Sequence, residues 1–192
     1  MNFLTDFADQ AVILPLVLVV AVILAAQGWR RGAGAWLLAI GATFSVVLGL
    51  KLLFLGCQPV FRPWGIVSPS GHVAAATIVA GGLMALVTHR IWLILAGAAA
   101  AGTVVAVTRL LLGVHSVPEV CLGGFVGLWG AYALSRLAGP PPALRLFTLA
   151  AFGLVVVALF HGARLPAEQP IRQNAQWLGT LIPACRASVF PG

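Results

Sequence analysis

Apolar residues fall in six runs, about 10–27, 34–56, 72–88, 91–112, 117–136 and 143–161. Each run is close to the ~20 residues that a helix needs to cross a hydrocarbon core of ~30 Å. The breaks between them are short: Gly28 to Gly32, His89-Arg90, and Gly139-Pro140-Pro141-Pro142. This pattern predicts an all-α, polytopic membrane bundle of about six transmembrane helices, with residues 1–192 forming a single membrane-embedded domain. No soluble second domain fits, and there is no long internal repeat. The first run follows Asp6 and Asp9 and lacks a basic leader, so it reads poorly as a secretory signal. Small residues recur every fourth position at Gly41, Ser45 and Gly49, and again at Gly123, Gly127 and Ala131. Such faces let helix backbones approach closely within lipid. In the tail, residues 162–192, Ile171, Ala175, Leu178 and Ile182 stand at helical spacing beside Trp177, which fits either a short helix on the outer membrane interface or an irregular tail.

Composition agrees with the pattern. Hydrophobic residues make up 61% of the chain and charged residues 8%, against about 25% charged in soluble domains. The net charge of +7 comes without a basic stripe or stacking aromatics, which argues against nucleic acid as a partner. Ten of the eleven basic residues are Arg, spaced singly or in pairs between apolar runs. Arg30, Arg31, Arg90, Arg136 and Arg145 all lie on or at the edges of the connections after runs 1, 3 and 5, with no acidic residue beside them. The positive-inside rule therefore places those connections in the cytoplasm and both termini outside. Cys57, Cys121 and Cys185 lack the CxxC spacing of a zinc or redox site. Cys121 fits as a small hydrophobe within a run. Cys57 and Cys185 both lie outside the runs, where spacing alone leaves a bridge open.

A few charges interrupt the apolar runs. Lys51 and Arg109 stand near the ends of runs 2 and 4, and Glu119 stands near the start of run 5. Ionisable residues at such positions are functional candidates, with snorkelling to the headgroups as the alternative for the long cations. Crossing parity brings Lys51, Arg62, Ser70, His72, Arg109, His115 and Glu119 to one face, which the charge rule makes the outer one. Three cations beside one carboxylate point to an anionic ligand, since Arg presents a planar fork to phosphate oxygens and Lys a compact charge. Ser68-Pro69-Ser70-Gly71-His72 reads as a helix start whose free N–H groups, eased by Gly71, can cradle an anion. Two histidines can divide the roles of nucleophile and proton donor. One nearby carboxylate is too few for Mg²⁺ or Ca²⁺. Two His and one Glu match a zinc ligand set, but the three cations oppose it, so neither metal nor cofactor is expected.

These residues resemble the type 2 phosphatidic acid phosphatase superfamily of membrane lipid phosphatases, relatives of the vanadium haloperoxidases. The second motif of that superfamily stands intact as Pro69-Ser70-Gly71-His72. Its third, Ser-Arg, five residues, His, three residues, Asp, is matched by Thr108-Arg109, His115 and Glu119. Its first, Lys, six residues, Arg-Pro, is approximated by Lys51 and Arg62-Pro63, here with ten residues between. Thr108 keeps the hydroxyl of the usual Ser, and Glu119 lengthens the usual Asp by one methylene. The resemblance covers about residues 51–119. It implies that His115 attacks phosphorus, His72 protonates the leaving oxygen, and Glu119 orients His115. Lys51, Arg62, Arg109, the Ser70 hydroxyl and the Gly71 N–H would stabilise the phosphoryl oxygens.

The expected function is hydrolysis of a lipid phosphate monoester or polyprenyl diphosphate through a phosphohistidine, without metal. The setting expected is a bacterial inner membrane, with the catalytic side extracytoplasmic. Three rivals share parts of the pattern. A lipid phosphotransferase would pass the phosphoryl group to another lipid. A transporter would place its polar residues near mid-span, whereas these cluster at one end. An inactive lipid-binding relative would tolerate the stretched first motif.

Overall fold

A computed structural model describes residues 7–163, 165 and 167–186, without the side chains of Ala184 and Arg186. The described residues are helical or irregular, with no strand among them. Each apolar run forms a helix: α1 (Gln10–Ala26), α2 (Arg30–Gly56), α4 (Gly71–Val87), α5 (Ile91–Leu111), α6 (Val117–Ala138) and α7 (Leu146–Phe160). Between α2 and α4 lie a four-residue helix α3 (Gln58–Phe61) and a 3₁₀ turn over Arg62–Trp64. After α7 come α8 (Glu168–Leu181) and the short α9 (Pro183–Arg186).

By length and composition, α2, α5 and α6 are long and apolar enough to cross a membrane. The apolar helices α1, α4 and α7 are shorter, at 17, 17 and 15 residues. Helix α2 starts four residues before its predicted boundary, because Arg30 and Arg31 are good helix formers and nothing breaks the chain there. The break falls instead at Gly28, whose φ of +87° suits the residue after a helix end. The Trp29 N–H donates to Leu24 O and the Gly28 N–H to Ala25 O, closing α1 with a Schellman pair.

The packing puts small residues inside and large ones outside. Helix α4 lies at the centre, against α2, α5 and α6, while α7 rests on α1. A Cβ at Gly127 would come within 2.6 Å of Thr77 Cβ, and one at Gly123 within 2.4 Å of Ser70 O. The second small-residue stripe is therefore where α6 meets α4. The first is not a helix contact: Gly41, Ser45 and Gly49 are exposed, and a Cβ at Gly41 or Gly49 would meet nothing within 4 Å. Small spacing permits close approach but does not choose the neighbour; α2 is held instead by its other face, through buried Trp36 and Val47. Trp36 Nε1 donates to Val17 O at 3.0 Å and so ties α2 to α1. The outer surface carries Leu18, Val22, Trp92, Phe125, Phe147 and Leu154, all exposed. Apolar surface of this extent, on helices of which three are long and apolar enough to cross a membrane, is compatible with contact to lipid.

At the end that carries the arginine-rich connections, Arg31 Nε donates to Leu137 O near the end of α6 at 2.9 Å. The opposite end is closed by α8. Cys57 and Cys185 form a disulfide, joining two positions that spacing had left unassigned. Gly56 and Gly179 pack backbone to backbone, since a Cβ at Gly179 would come within 2.3 Å of Gly56 O. Helix α8 buries Ala175 and Gly179 against the end of α2 and exposes Trp177 and Leu181 on its other side. Of the two readings of the tail, the helical one holds over Glu168–Leu181, with Ile182 just beyond its end. Residues 187–192 of the tail, and Asp6 of the N-terminal acidic pair, lie outside the described residues.

Candidate active site

Helix ends build the site. Lys51 comes from the last turns of α2, Gly71 and His72 from the first turn of α4, and Arg109 from the last turn of α5. His115 comes from the connection after α5, and Glu119 from the first turn of α6. Lys51, Gly71, His72, Arg109 and His115 line one cavity of about 480 Å³. Two residues not anticipated as site members line it as well: Asp9, which caps α1, and Glu168, at the start of α8.

Glu119 is the best-connected side chain in the region. Its Oε1 accepts from the Val67 and Ser68 N–H groups, both at 2.7 Å. Its Oε2 accepts from the Ser116 N–H at 2.9 Å, the carboxylate half of a capping box, and pairs with His115 Nδ1 at 2.9 Å. Helix cap and histidine partner are therefore the same carboxylate. A carboxylate only accepts, so the imidazole proton lies on Nδ1, which leaves Nε2 with its lone pair free. The Ser116 hydroxyl donates to Gly65 O at 2.7 Å, and the Ser70 N–H donates to Glu119 O at 3.1 Å. The segment 65–70 is thereby fastened to the start of α6.

Burial pushes the His115 pKa below its ordinary value, and the charges of Arg109 and Lys51 push the same way. Glu119 opposes them through its hydrogen bond and charge without reversing the shift. His115 is consequently neutral at pH 7. For Glu168, burial alone would raise the pKa; the hydrogen bond and charge of Lys51, with Arg172 and His115 behind them, outweigh it and hold the carboxyl below its usual range. Its two oxygens lie 2.6 and 2.9 Å from Lys51 Nζ. Asp9 Oδ2 lies 3.7 Å from His72 Nε2, while Oδ1 accepts from the Ala11 N–H at 2.9 Å. Arg109 Nε is buried and has no hydrogen-bond partner.

Two residues expected to bind phosphate take other positions. Ser70 is fully buried and caps α4, its Oγ accepting from the Val73 N–H, and it does not line the cavity. Arg62 is exposed on the 3₁₀ turn and is likewise absent from the lining. The ten residues after Lys51 complete α2 and form α3, and this longer path carries Arg62 outward. Among the described residues, no three His, Cys, Asp or Glu side chains are grouped to hold a metal ion.

The cavity also reaches Phe44, Ser45 and Leu48 of α2. These stand three to seven residues before Lys51, roughly 5–10 Å along the helix axis. Leu48 is exposed on the outer flank of the bundle, so the cavity joins a charged end to an exposed apolar side. Comparison with family models, with curated proteins and with solved structures found no match to this chain.

Proposed function

We propose that this chain is a six-span membrane phosphatase of the type 2 phosphatidic acid phosphatase kind. It hydrolyses a phosphate monoester or diphosphate whose lipid tail stays in the bilayer. The observation that carries this reading is His115 on the cavity wall, held from behind by Glu119, with a buried and unpartnered Arg109 Nε on the same lining. A neutral imidazole fixed through Nδ1 is a nucleophile, and an unanswered buried guanidinium donor is costly unless an anion meets it. In the proposed reaction His115 Nε2 bonds to phosphorus as the bond to the leaving oxygen breaks. His72 supplies the proton to that oxygen. Water then attacks the phosphohistidine, His72 takes the proton, and phosphate leaves. Lys51, Arg109 and the Gly71 N–H stabilise charge on the transferring oxygens. The arm of the cavity along Phe44 and Leu48 provides an apolar path for a tail.

The six-span reading draws on α1 and α4, which at 17 residues meet the lower end of what crosses a bilayer, and on the apolar α7, which is two residues shorter. Two independent features support an extracytoplasmic site, in keeping with a bacterial inner membrane. The arginine-bearing connections lie at one end. The Cys57–Cys185 disulfide lies at the other, and disulfides persist in oxidising compartments. In a Cys121→Ser background, Trp64→Cys is expected to react with a membrane-impermeant thiol reagent outside intact cells, and Arg90→Cys only after lysis. The reverse pattern would turn the protein over in the membrane.

The test of the activity is phosphate release by the purified protein from a panel of lipid phosphates and diphosphates. Release is expected to survive EDTA and to be blocked by vanadate, which mimics five-coordinate phosphorus. Loss on chelation, restored by Zn²⁺ or Mg²⁺, would overturn the metal-free mechanism. The acid limb of kcat/KM should lie below pH ~6.5, the ordinary histidine value, because catalysis needs neutral His115 and the site favours that form. An acid limb above that value would remove His115 as the group responsible.

A further inference from the structure

The Lys51–Glu168 pair raises a question that the catalytic reading leaves open. Lys51 is a buried cation at the anion site, yet a carboxylate already holds it through both oxygens. Glu168 belongs to α8, outside the motif-bearing helices, and its side chain is about half exposed while that of Lys51 is 10% exposed. The acid is therefore the mobile partner: it can swing toward solvent, whereas Lys51 stays within the wall. An alternative cation waits for it. Arg172 stands one turn further along α8, is exposed, and its charge already acts on the Glu168 carboxylate. Glu followed four residues later by Arg is the favourable order for such a pair on a helix. The helix that carries both is fixed by the Cys57–Cys185 disulfide and the Gly56–Gly179 contact, so the exchange requires only a change of side-chain rotamer.

We propose that Glu168 is an internal competitor for the phosphoryl group, occupying Lys51 at rest and passing to Arg172 when a phosphate enters. This rests on reading the cavity as a phosphate site. It makes Glu168 a determinant of affinity and selectivity, since only a ligand able to displace a two-oxygen carboxylate gains Lys51. A group of weaker charge, such as a carboxylic acid headgroup, does not.

The experiment measures binding of inorganic phosphate and of orthovanadate to the purified protein by calorimetry, at fixed pH and ionic strength. Glu168→Gln is expected to tighten both by about tenfold to a hundredfold, the lower part of what close charge pairs contribute, since Glu168 is half exposed. Arg172→Ala should weaken binding several-fold in the parent protein and change nothing in Glu168→Gln, because the two residues act in one exchange. Glu168→Asp, with its shorter reach, should fall between parent and Gln, and it supplies the same readout if the amide variant folds poorly. Equal or weaker binding by Glu168→Gln, at unchanged melting temperature, reduces the pair to a fastening of α8 and overturns the proposal. Failure of every variant to bind either anion, together with no phosphate release from any lipid, instead sinks the phosphate reading itself.

Discussion

His115→Ala is expected to lower turnover by roughly 10⁴–10⁶-fold, the scale seen when a nucleophile that works as part of a unit is removed. The reason lies in the arrangement around the ring. Nδ1 is committed to Glu119 at 2.9 Å, and burial keeps the imidazole neutral, so Nε2 is the reactive nitrogen on that wall of the cavity. Alanine removes this atom but leaves Lys51, Arg109 and His72 in place. The variant should therefore still bind vanadate while losing chemistry. Brief exposure of the parent protein to a ³²P-labelled lipid phosphate should leave an acid-labile phosphoryl group on the chain, and His115→Ala should carry none. A labelled adduct that persists in the variant would move the nucleophile elsewhere. In His72→Ala the adduct should still form, most slowly with poor alkoxide leaving groups, since proton donation matters most there.

Glu119→Gln is the second large effect, and it is expected to strike stability and turnover together. From spacing alone, Ser116-Val117-Pro118-Glu119 is a capping box in which Gln serves as well as Glu, so the amide would isolate the charge. The structure changes that expectation. Four donors converge on the carboxylate: the Val67, Ser68 and Ser116 N–H groups and His115 Nδ1. An amide offers one oxygen and one NH₂, so in either orientation two donors face another donor. Each buried donor left unmet costs about 1–3 kcal/mol. His115 can answer by moving its proton to Nε2, which removes the lone pair that attacks. Turnover should fall by roughly 10²–10⁴-fold, by analogy with loss of the orienting carboxylate in a serine-protease triad. The melting temperature should fall with it. Glu119→Asp keeps the charge but cannot span both sides, so it should retain more activity than Gln while still losing stability. Unchanged melting and near-normal turnover in Glu119→Gln would mean that none of these four contacts matters.

Much of the architecture was legible because apolar runs of this length, punctuated by Gly, Arg and Pro, leave little choice but helices. Crossing parity then gathered Lys51, His72, Arg109, His115 and Glu119 at one end, since each lies within a turn or two of a boundary. The same parity applied to Glu168, seven residues past the last run, in a chain with only four acidic residues. It was missed because an acid after a final helix reads as solvated tail. In the sequence Asp9 serves to set the first run apart from a secretory signal, although an Asp directly before an apolar run is also a cap, and here it faces His72. Two features lay beyond any local pattern. Pairing of Cys57 with Cys185 depends on how α8 folds back, and the displacement of Arg62 depends on two short turns whose direction spacing does not encode.

The disulfide also sets a schedule. It joins residues 128 apart, one just after α2 and the other near the end of the described chain. On the topology proposed above, the segment bearing Cys57 reaches the outer face early in synthesis, when most of the helices have yet to be made. Its partner arrives only after the six proposed spans and the start of the tail have been made. Until then Cys57 lacks the partner it has in the folded chain, and Glu168 is not yet beside Lys51. On that topology the helix ends that carry Lys51, His72, Arg109, His115 and Glu119 are all made before Glu168, and the disulfide that fixes α8 beside them can close only afterwards.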